Sequence, residues 1–407
     1  MADFHRRNLV FFGSGPERNV LNIALFFLFL CFNPILPDAI PQNAEKTPLT
    51  SLSNAAAGQS AVFSATAIGS ENRGFLNNLA RAALGRTRSE IRVTYNPSYR
   101  KLRMPLGDVP ASQGVCTDLV IRSYRLLGID LQSRVNEDMN SAFTEYPSKW
   151  GLKKPDSNID HRRVPNLEVF FRRKGSEMKI TSRGQDYLPG DIVTWTLPGG
   201  LPHIGIVTGE KAATHRYLIA HNIGGGPELE DFLFQCPING HFRYAPPLSP
   251  ARRISLKGVS NLHSVSDTLY RSGQPDSTGM KALAEMGIRT IVNLRAFHND
   301  DDEAMGLKME LAHIRVQAWA PSREELVRFL RIAVDSSKWP VLVHCQHGSD
   351  RTGSFVAAYR MIVQGWSAED AVNEMTNGGF GFHRIFINLI PWLSELDVAG
   401  IRKELAL

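Results

Sequence analysis

The sequence predicts an α+β domain followed by an α/β domain whose central parallel sheet is flanked by helices. Three observations carry this. In the C-terminal part, apolar stretches at 290–295, 314–319 and 340–344 alternate with helical patterns near 280–286 and 322–336, as in a strand-helix-strand sheet. Upstream, one helix pattern precedes several short stretches that alternate apolar and polar residues, as in antiparallel strands. Between the two patterns lies a proline-rich segment at 246–250. The resulting partition is 1–42 leader, 43–72 linker rich in Ser, Ala, Thr and Asn, 73–245 first domain, 246–259 hinge and 260–407 second domain.

The second domain holds the sharpest chemical signal, V-L-V-H-C-Q-H-G-S-D-R-T-G over 341–353. Its first residues read as a buried strand and 352–364 reads as a helix. The loop between them can turn its N–H groups inward, next to a helix N-terminus with unsatisfied donors and positive dipole. That is a cradle for a dianion. A free thiol is a poor nucleophile at neutral pH, but amides, a helix start and a guanidinium all favour its thiolate, so Cys345 is the expected nucleophile. Arg351 offers a planar fork to two phosphate oxygens, Gly348 lets the loop bend, and Thr352 has a hydroxyl able to hydrogen-bond the sulfur. Gln346, His347, Gly348, Ser349, Asp350, Arg351 and Thr352 form the expected phosphate-binding loop. None of them is lysine. Asp350 would repel a substrate with several phosphates, favouring a phosphorylated protein or small phosphomonoester, although protonation of His347 would reverse that preference.

The pattern H-C-x-x-G-x-x-R-[ST]-G resembles that of the cysteine-dependent protein tyrosine and dual-specificity phosphatases, and the resemblance extends over about 260–396. L-Y-R-S-G-Q-P (269–275) and I-V-N-L-R (291–295) look like the first two strands of the atypical dual-specificity group. The resemblance implies hydrolysis through a phosphocysteine without a cofactor. One part departs from it. These enzymes carry a proton-donating aspartate on an upstream loop, and the matching stretch A-W-A-P-S-R-E-E (318–325) has none. Glu324 falls near the required spacing and Asp350 lies in the loop itself, so both are candidate general acids. Without an acid the domain is a slow phosphatase, or a phosphate-binding scaffold that leaves the first domain as the only active hydrolase.

In the first domain, G-V-C-T-D-L-V-I-R-S-Y-R-L-L-G starts a helix with Cys116 at its N-terminus, where the dipole is expected to lower the thiol pKa. His203 opens one expected strand and His221 closes the next, so pairing would bring their rings together. The stretch D-H-R-R-V-P-N-L (160–167) reads as a surface loop or, failing that, as a wall of a substrate groove. C-T-D-L-V, P-G-D-I-V and H-I-G-I occur in the order that resembles the papain-like NlpC superfamily of cell-wall cysteine peptidases and amidases. By that resemblance Cys116 is nucleophile, His203 base and His221 its orienting partner, with Asn222 the competing third residue and peptidoglycan or another envelope amide the substrate. A zinc site made from Cys116, His203 and His221 uses the same residues but has no closely spaced ligand pair.

Basic residues ahead of the apolar run 20–36, followed by small residues at Ala39 and Ala44, have the layout of a secretory signal. The expectation is export to the periplasm or envelope, with membrane contact only through this segment if it stays uncleaved. A net charge of +6 with scattered arginines and no binding motif argues against a nucleic-acid partner. Four cysteines are too few for a disulfide framework.

Overall fold

The computed structural model describes residues 70–407 apart from residue 248. The expected signal segment and nearly all of the linker therefore lie outside the described residues. Among the described residues, no helix is long and apolar enough to cross a membrane.

The upstream part is built on a five-stranded antiparallel sheet in the order β6-β5-β4-β3-β7, with β3 Ile192–Leu197, β4 Leu201–Lys211, β5 Tyr217–Asn222, β6 Pro227–Glu230 and β7 Ile238–Phe242. Helices Ser70–Thr87, Cys116–Leu126 and Val164–Arg173 pack on one side of it. A separate two-stranded pair, β1 Thr94–Tyr95 and β2 Gln113–Gly114, leads into the Cys116 helix. Because strand side chains alternate, Ile204, Ile206 and Ala220 face the helices, whereas Val193, Trp195 and Val207 face a second apolar cluster closed by Phe232 and Leu233. The stretch 160–167 is not a surface loop. Asp160, His161 and Arg162 are buried in a 3₁₀ turn, because Arg162 forms two hydrogen bonds with the buried Asp118 carboxylate.

The downstream part is a six-stranded sheet in the order β12-β11-β13-β10-β9-β8. Its strands are β8 Arg252–Arg253, β9 His263–Ser264, β10 Leu269–Ser272, β11 Thr290–Asn293, β12 Glu310–His313 and β13 Val341–His344. Strands β10 to β13 are parallel, and β13 lies between β10 and β11. Covered on both faces, it reads as an unbroken apolar run, with Val341, Leu342 and Val343 fully buried. Strand β12 ends before the stretch 314–319 expected to be a strand. Its pairing with β11 stops at the Ile314 N–H bond to Asn293 O, and Ile314 and Val316 are apolar because they are buried in the main apolar cluster without strand pairing. The segment 246–259 contributes β8 to this sheet, so it is an edge of the fold as well as a connection.

The described residues make one compact unit, and a single apolar cluster runs from Phe75 and Leu79 through Tyr124 and Phe171 to Val292, Phe329 and Phe355. Polar contacts tie the two parts together. Asn78 donates to Val363 O at 2.9 Å, Gln364 to Leu127 O at 3.3 Å, and the Asp130 N–H to Asp267 Oδ2 at 2.9 Å. Gly74 and Gly365 pass so closely that a Cβ on either would overlap the backbone of the other, and Gly365 holds φ 77° at the end of its helix.

Candidate functional site

The downstream site grows out of β13. Its carboxyl end delivers Cys345 into a loop that closes at Ser349, and the helix Asp350–Tyr359 begins directly after it. Ligands gather at this end of parallel strands. Gly348 has φ 73°, and a Cβ there would sit 2.5 Å from the Ser272 carbonyl carbon and 2.6 Å from the Gly273 nitrogen, so the loop passes β10 only because this residue has no side chain. Cys345 is buried, as are Ser349, Asp350 and Thr352, whereas Gln346 and His347 are exposed at the rim. The Thr352 hydroxyl is buried with no hydrogen-bond partner among the described residues. Arg351 reaches the carbonyls of Leu294 at 3.3 Å and Val316 at 3.5 Å, and among the described residues no carboxylate pairs with it.

The loop is supported by residues that its own sequence does not reveal. Arg271, on β10, is fully buried and donates to Gly348 O at 2.6 Å while its guanidinium lies 3.7 Å from the Phe380 ring centroid. Burial pushes its pKa down to about 10, opposed by Glu374 and by Cys345 itself. A second cationic side chain thus stands behind the loop. Its place in L-Y-R-S-G-Q-P was the available signal, but neither composition nor spacing marks an arginine as buried. His344 reaches Asp300 Oδ2 at 2.9 Å, and Gln274 donates to Asp300 Oδ1 at 2.9 Å. Burial opposes ionisation of Asp300, yet these hydrogen bonds hold its carboxyl below the usual range. His298, Asp300 and Glu303 bring one ligand atom each within 4.8 Å of one another. Asp300 is already engaged by His344 and Gln274.

Of the two candidate acids, Glu324 is exposed in the first turn of the helix Arg323–Val334. That turn is capped by its neighbours, with Ser322 N–H donating to Glu325 Oε2 at 2.8 Å and Glu325 N–H to Ser322 Oγ at 3.2 Å. Asp350 is buried and spends both oxygens on His383, accepting from its main-chain N–H at 2.9 Å and pairing with its Nδ1 at 2.8 Å.

The upstream residues are arranged differently from the sequence expectation. His203 Nε2 and His221 Nδ1 are 2.9 Å apart, and His221 Nε2 lies 3.0 Å from Glu230 Oε2. Burial and the neighbouring His221 push His203 well below the ordinary imidazole range. This relay sits on the Trp195 and Phe232 side of the sheet. Cys116 is packed with Ile204 and Ile206 on the other side. Among the described residues, no hydrogen bond joins it to either histidine. Its polar neighbours are the Tyr95 hydroxyl and the main chain of Thr117 and Ile204, and burial, reinforced by Asp118, pushes the thiol up to about 11. The expected lowering by the helix start is overturned, since removal from water and a nearby carboxylate outweigh a dipole effect. The Cys116–His203 dyad and the three-residue zinc alternative are both corrected: strand alternation points His203 away from the thiol. Asn222, the competing third residue, lines a cavity of about 460 Å³ together with Val115 and Asp118.

A parallel sheet with a cysteine-to-arginine phosphate loop on its central strand defines a cysteine-dependent phosphatase architecture. A family model described as a dual-specificity/tyrosine phosphatase fused to NAD+ kinase matches residues 251–385, and one described as a domain of unknown function, DUF1287, matches 81–244. The dual specificity protein phosphatase TpbA of Pseudomonas aeruginosa (strain UCBPP-PA14) is 34% identical over 165 residues, covering 40% of this chain and 74% of TpbA. The uncharacterized protein YijF of Escherichia coli (strain K12) is 49% identical over 167 residues, covering 41% of this chain and 82% of YijF. An inositol diphosphatase, DSP3 of Arabidopsis thaliana, is 27% identical over 157 residues, covering 36% of this chain and 75% of that protein. The crystal structure of P. aeruginosa TpbA aligns over 40% of this chain and 99% of its own, with 30% identity and a TM-score of 0.36. The chain belongs to the TpbA-like dual-specificity phosphatase family through its C-terminal region and to the family of YijF as well.

Proposed function

We propose that the downstream region hydrolyses phosphomonoesters of the phosphotyrosine or phosphoserine type through a phosphocysteine on Cys345. The observation that carries this reading is a buried cysteine at the carboxyl end of β13, followed by a tight loop and an arginine with no carboxylate partner among the described residues. Cys345 Sγ attacks phosphorus while the ester oxygen departs. Loop amides and the Arg351 fork take the phosphoryl oxygens and hold them more strongly as charge develops. Water then attacks phosphorus and sulfur leaves as the thiolate, a step for which the buried Thr352 hydroxyl, without a partner among the described residues, is available as a donor.

TpbA, a relative by name a dual specificity protein phosphatase, supports a phosphorylated protein as substrate, whereas the inositol diphosphatase relative makes condensed inositol phosphates the alternative. The assay therefore pairs a phosphotyrosine peptide with an inositol pyrophosphate. Cys345→Ser is expected to keep tungstate binding and to lose turnover of the preferred substrate; retained turnover would overturn the reading. If the wild-type chain binds tungstate but turns over neither substrate nor a small aryl phosphate, the region is a phosphate-binding scaffold. We do not propose an envelope amidase activity at Cys116, because among the described residues its thiol has no imidazole partner.

We also propose export, supported by the apolar run 20–36 behind basic residues. Fractionation of cells expressing the chain with and without 1–42 tests it. Cytoplasmic retention of the full chain would remove it.

A further inference from the structure

Expelling a phenoxide or alkoxide from phosphorus requires a proton at the departing oxygen, and the carboxylates around the phosphate loop are poorly placed to give one. Asp300 is held by His344 and Gln274, Asp350 by His383, and Glu324 is exposed on a capped helix. His383 is different. Its Nδ1 is fixed by Asp350, its Nε2 has no partner among the described residues, and its side chain is 49% exposed. The segment that carries it is pinned to the loop's rim: Phe380 O accepts from Ser349 Oγ at 2.7 Å and from Asn261 Nδ2 at 2.9 Å, while the same Asn261 amide donates to His347 O at 3.0 Å. The His347 and His383 rings are 5.5 Å apart.

We propose that His383 is the proton donor of the phosphatase site and that Asp350 is its positioning residue; this rests on the phosphocysteine reading. In the first step Sγ–P forms, the P–O bond breaks with its electron pair going to oxygen, and the Nε2 proton moves to that oxygen. In the second, water forms the new O–P bond, S–P breaks, and a water proton returns to Nε2. The titratable groups facing His383 are Asp350 and His347, with Arg384 next to it in the chain.

The test uses the full chain and aryl phosphates graded by leaving-group acidity. His383→Gln is expected to lower kcat on phenyl phosphate roughly a hundredfold, to leave a fluorinated coumarin phosphate little changed, and to flatten the alkaline limb of the kcat profile. Asp350→Asn should shift that limb and produce a smaller loss. Equal loss on every ester, or a leaving-group-dependent loss in Glu324→Gln instead, overturns the proposal. Loss in Cys345→Ser is independent of leaving group, so failure of the underlying reading is distinguishable, and tungstate binding reports that each variant is folded.

A second inference has a separate basis. The 460 Å³ cavity is lined from the upstream part by Arg86, Lys101 and Arg103 and from the downstream part by Arg289, none of which has an ion pair among the described residues; its two lining carboxylates, Asp108 and Asp118, pair instead with Arg122, Arg125 and Arg162. Burial and the nearby Arg122 lower the pKa of Arg86, and burial and Arg289 lower that of Arg103. A cleft in which cations outnumber carboxylates attracts counter-charge. We infer that it binds a polyanionic ligand bridging both parts of the chain. With Arg351→Ala used to weaken the catalytic loop, calorimetry with inorganic tripolyphosphate should find a site that Arg86→Gln with Arg289→Gln removes. No binding, or binding unaffected by that pair, overturns the inference.

Discussion

Cys116 and Cys345 both stand at the entrance to a helix, and both are buried, yet their surroundings oppose each other. Cys345 follows a central parallel strand, has Arg351 beyond it and Arg271 behind it, and lies in a loop free to turn its amides inward. Cys116 is packed among aliphatic side chains with Asp118 two residues along, its carboxylate locked by Arg162. A helix start therefore does not make a nucleophile by itself. The sign of the nearest fixed charge and access to a second donor set decide.

Four measurements sharpen or break this contrast. The largest effect is expected from Cys345→Ser, which should abolish phosphatase turnover, whereas Cys116→Ala should leave it intact; a loss in both would join the two sites. Next is alkylation. With its thiol raised from 9.0 to about 11, Cys116 is neutral at pH 7, so its iodoacetamide labelling should run about a hundredfold slower than that of an ordinary thiol and rise with pH up to about 11. Fast labelling at pH 7 would contradict the burial argument. Gly348→Ala should cost about 2 kcal/mol in a denaturant titration, since it combines a positive φ with backbone overlap at Ser272. Smallest is His221→Ala. It strips His203 of its partner inside the sheet and should cost about 1 kcal/mol, with no change in phosphatase kcat or in Cys116 labelling.

The strand-loop-helix around Cys345 was legible because all its parts are contiguous: an apolar strand, a cysteine, a glycine and an arginine at a helix start. The meeting of His203 and His221 was legible too, from the two-residue alternation of adjacent strands. What escaped was whatever depends on distant segments. Arg271, His383 and Glu230 become neighbours of the two sites only through sheet order and loop packing, and no local pattern marks them. The placement of Cys116 opposite His203 was hidden for the same reason, because the face of the sheet covered by the helix is a tertiary choice. The strand expected at 314–319 failed differently: Ile314 and Val316 carry a burial signal, and burial without pairing looks the same in sequence.

The crossing of Gly74 over Gly365, set within an apolar cluster common to both parts, bears on how this chain tolerates being taken apart. Cutting it near residue 246 would strip hydrocarbon such as Phe75 and Leu127 of its covering and open the carbonyls of Leu127 and Val363 to solvent. Either fragment would then carry a sticky, wet scar where the intact molecule has interior, so an excised phosphatase piece is a poor stand-in for the whole.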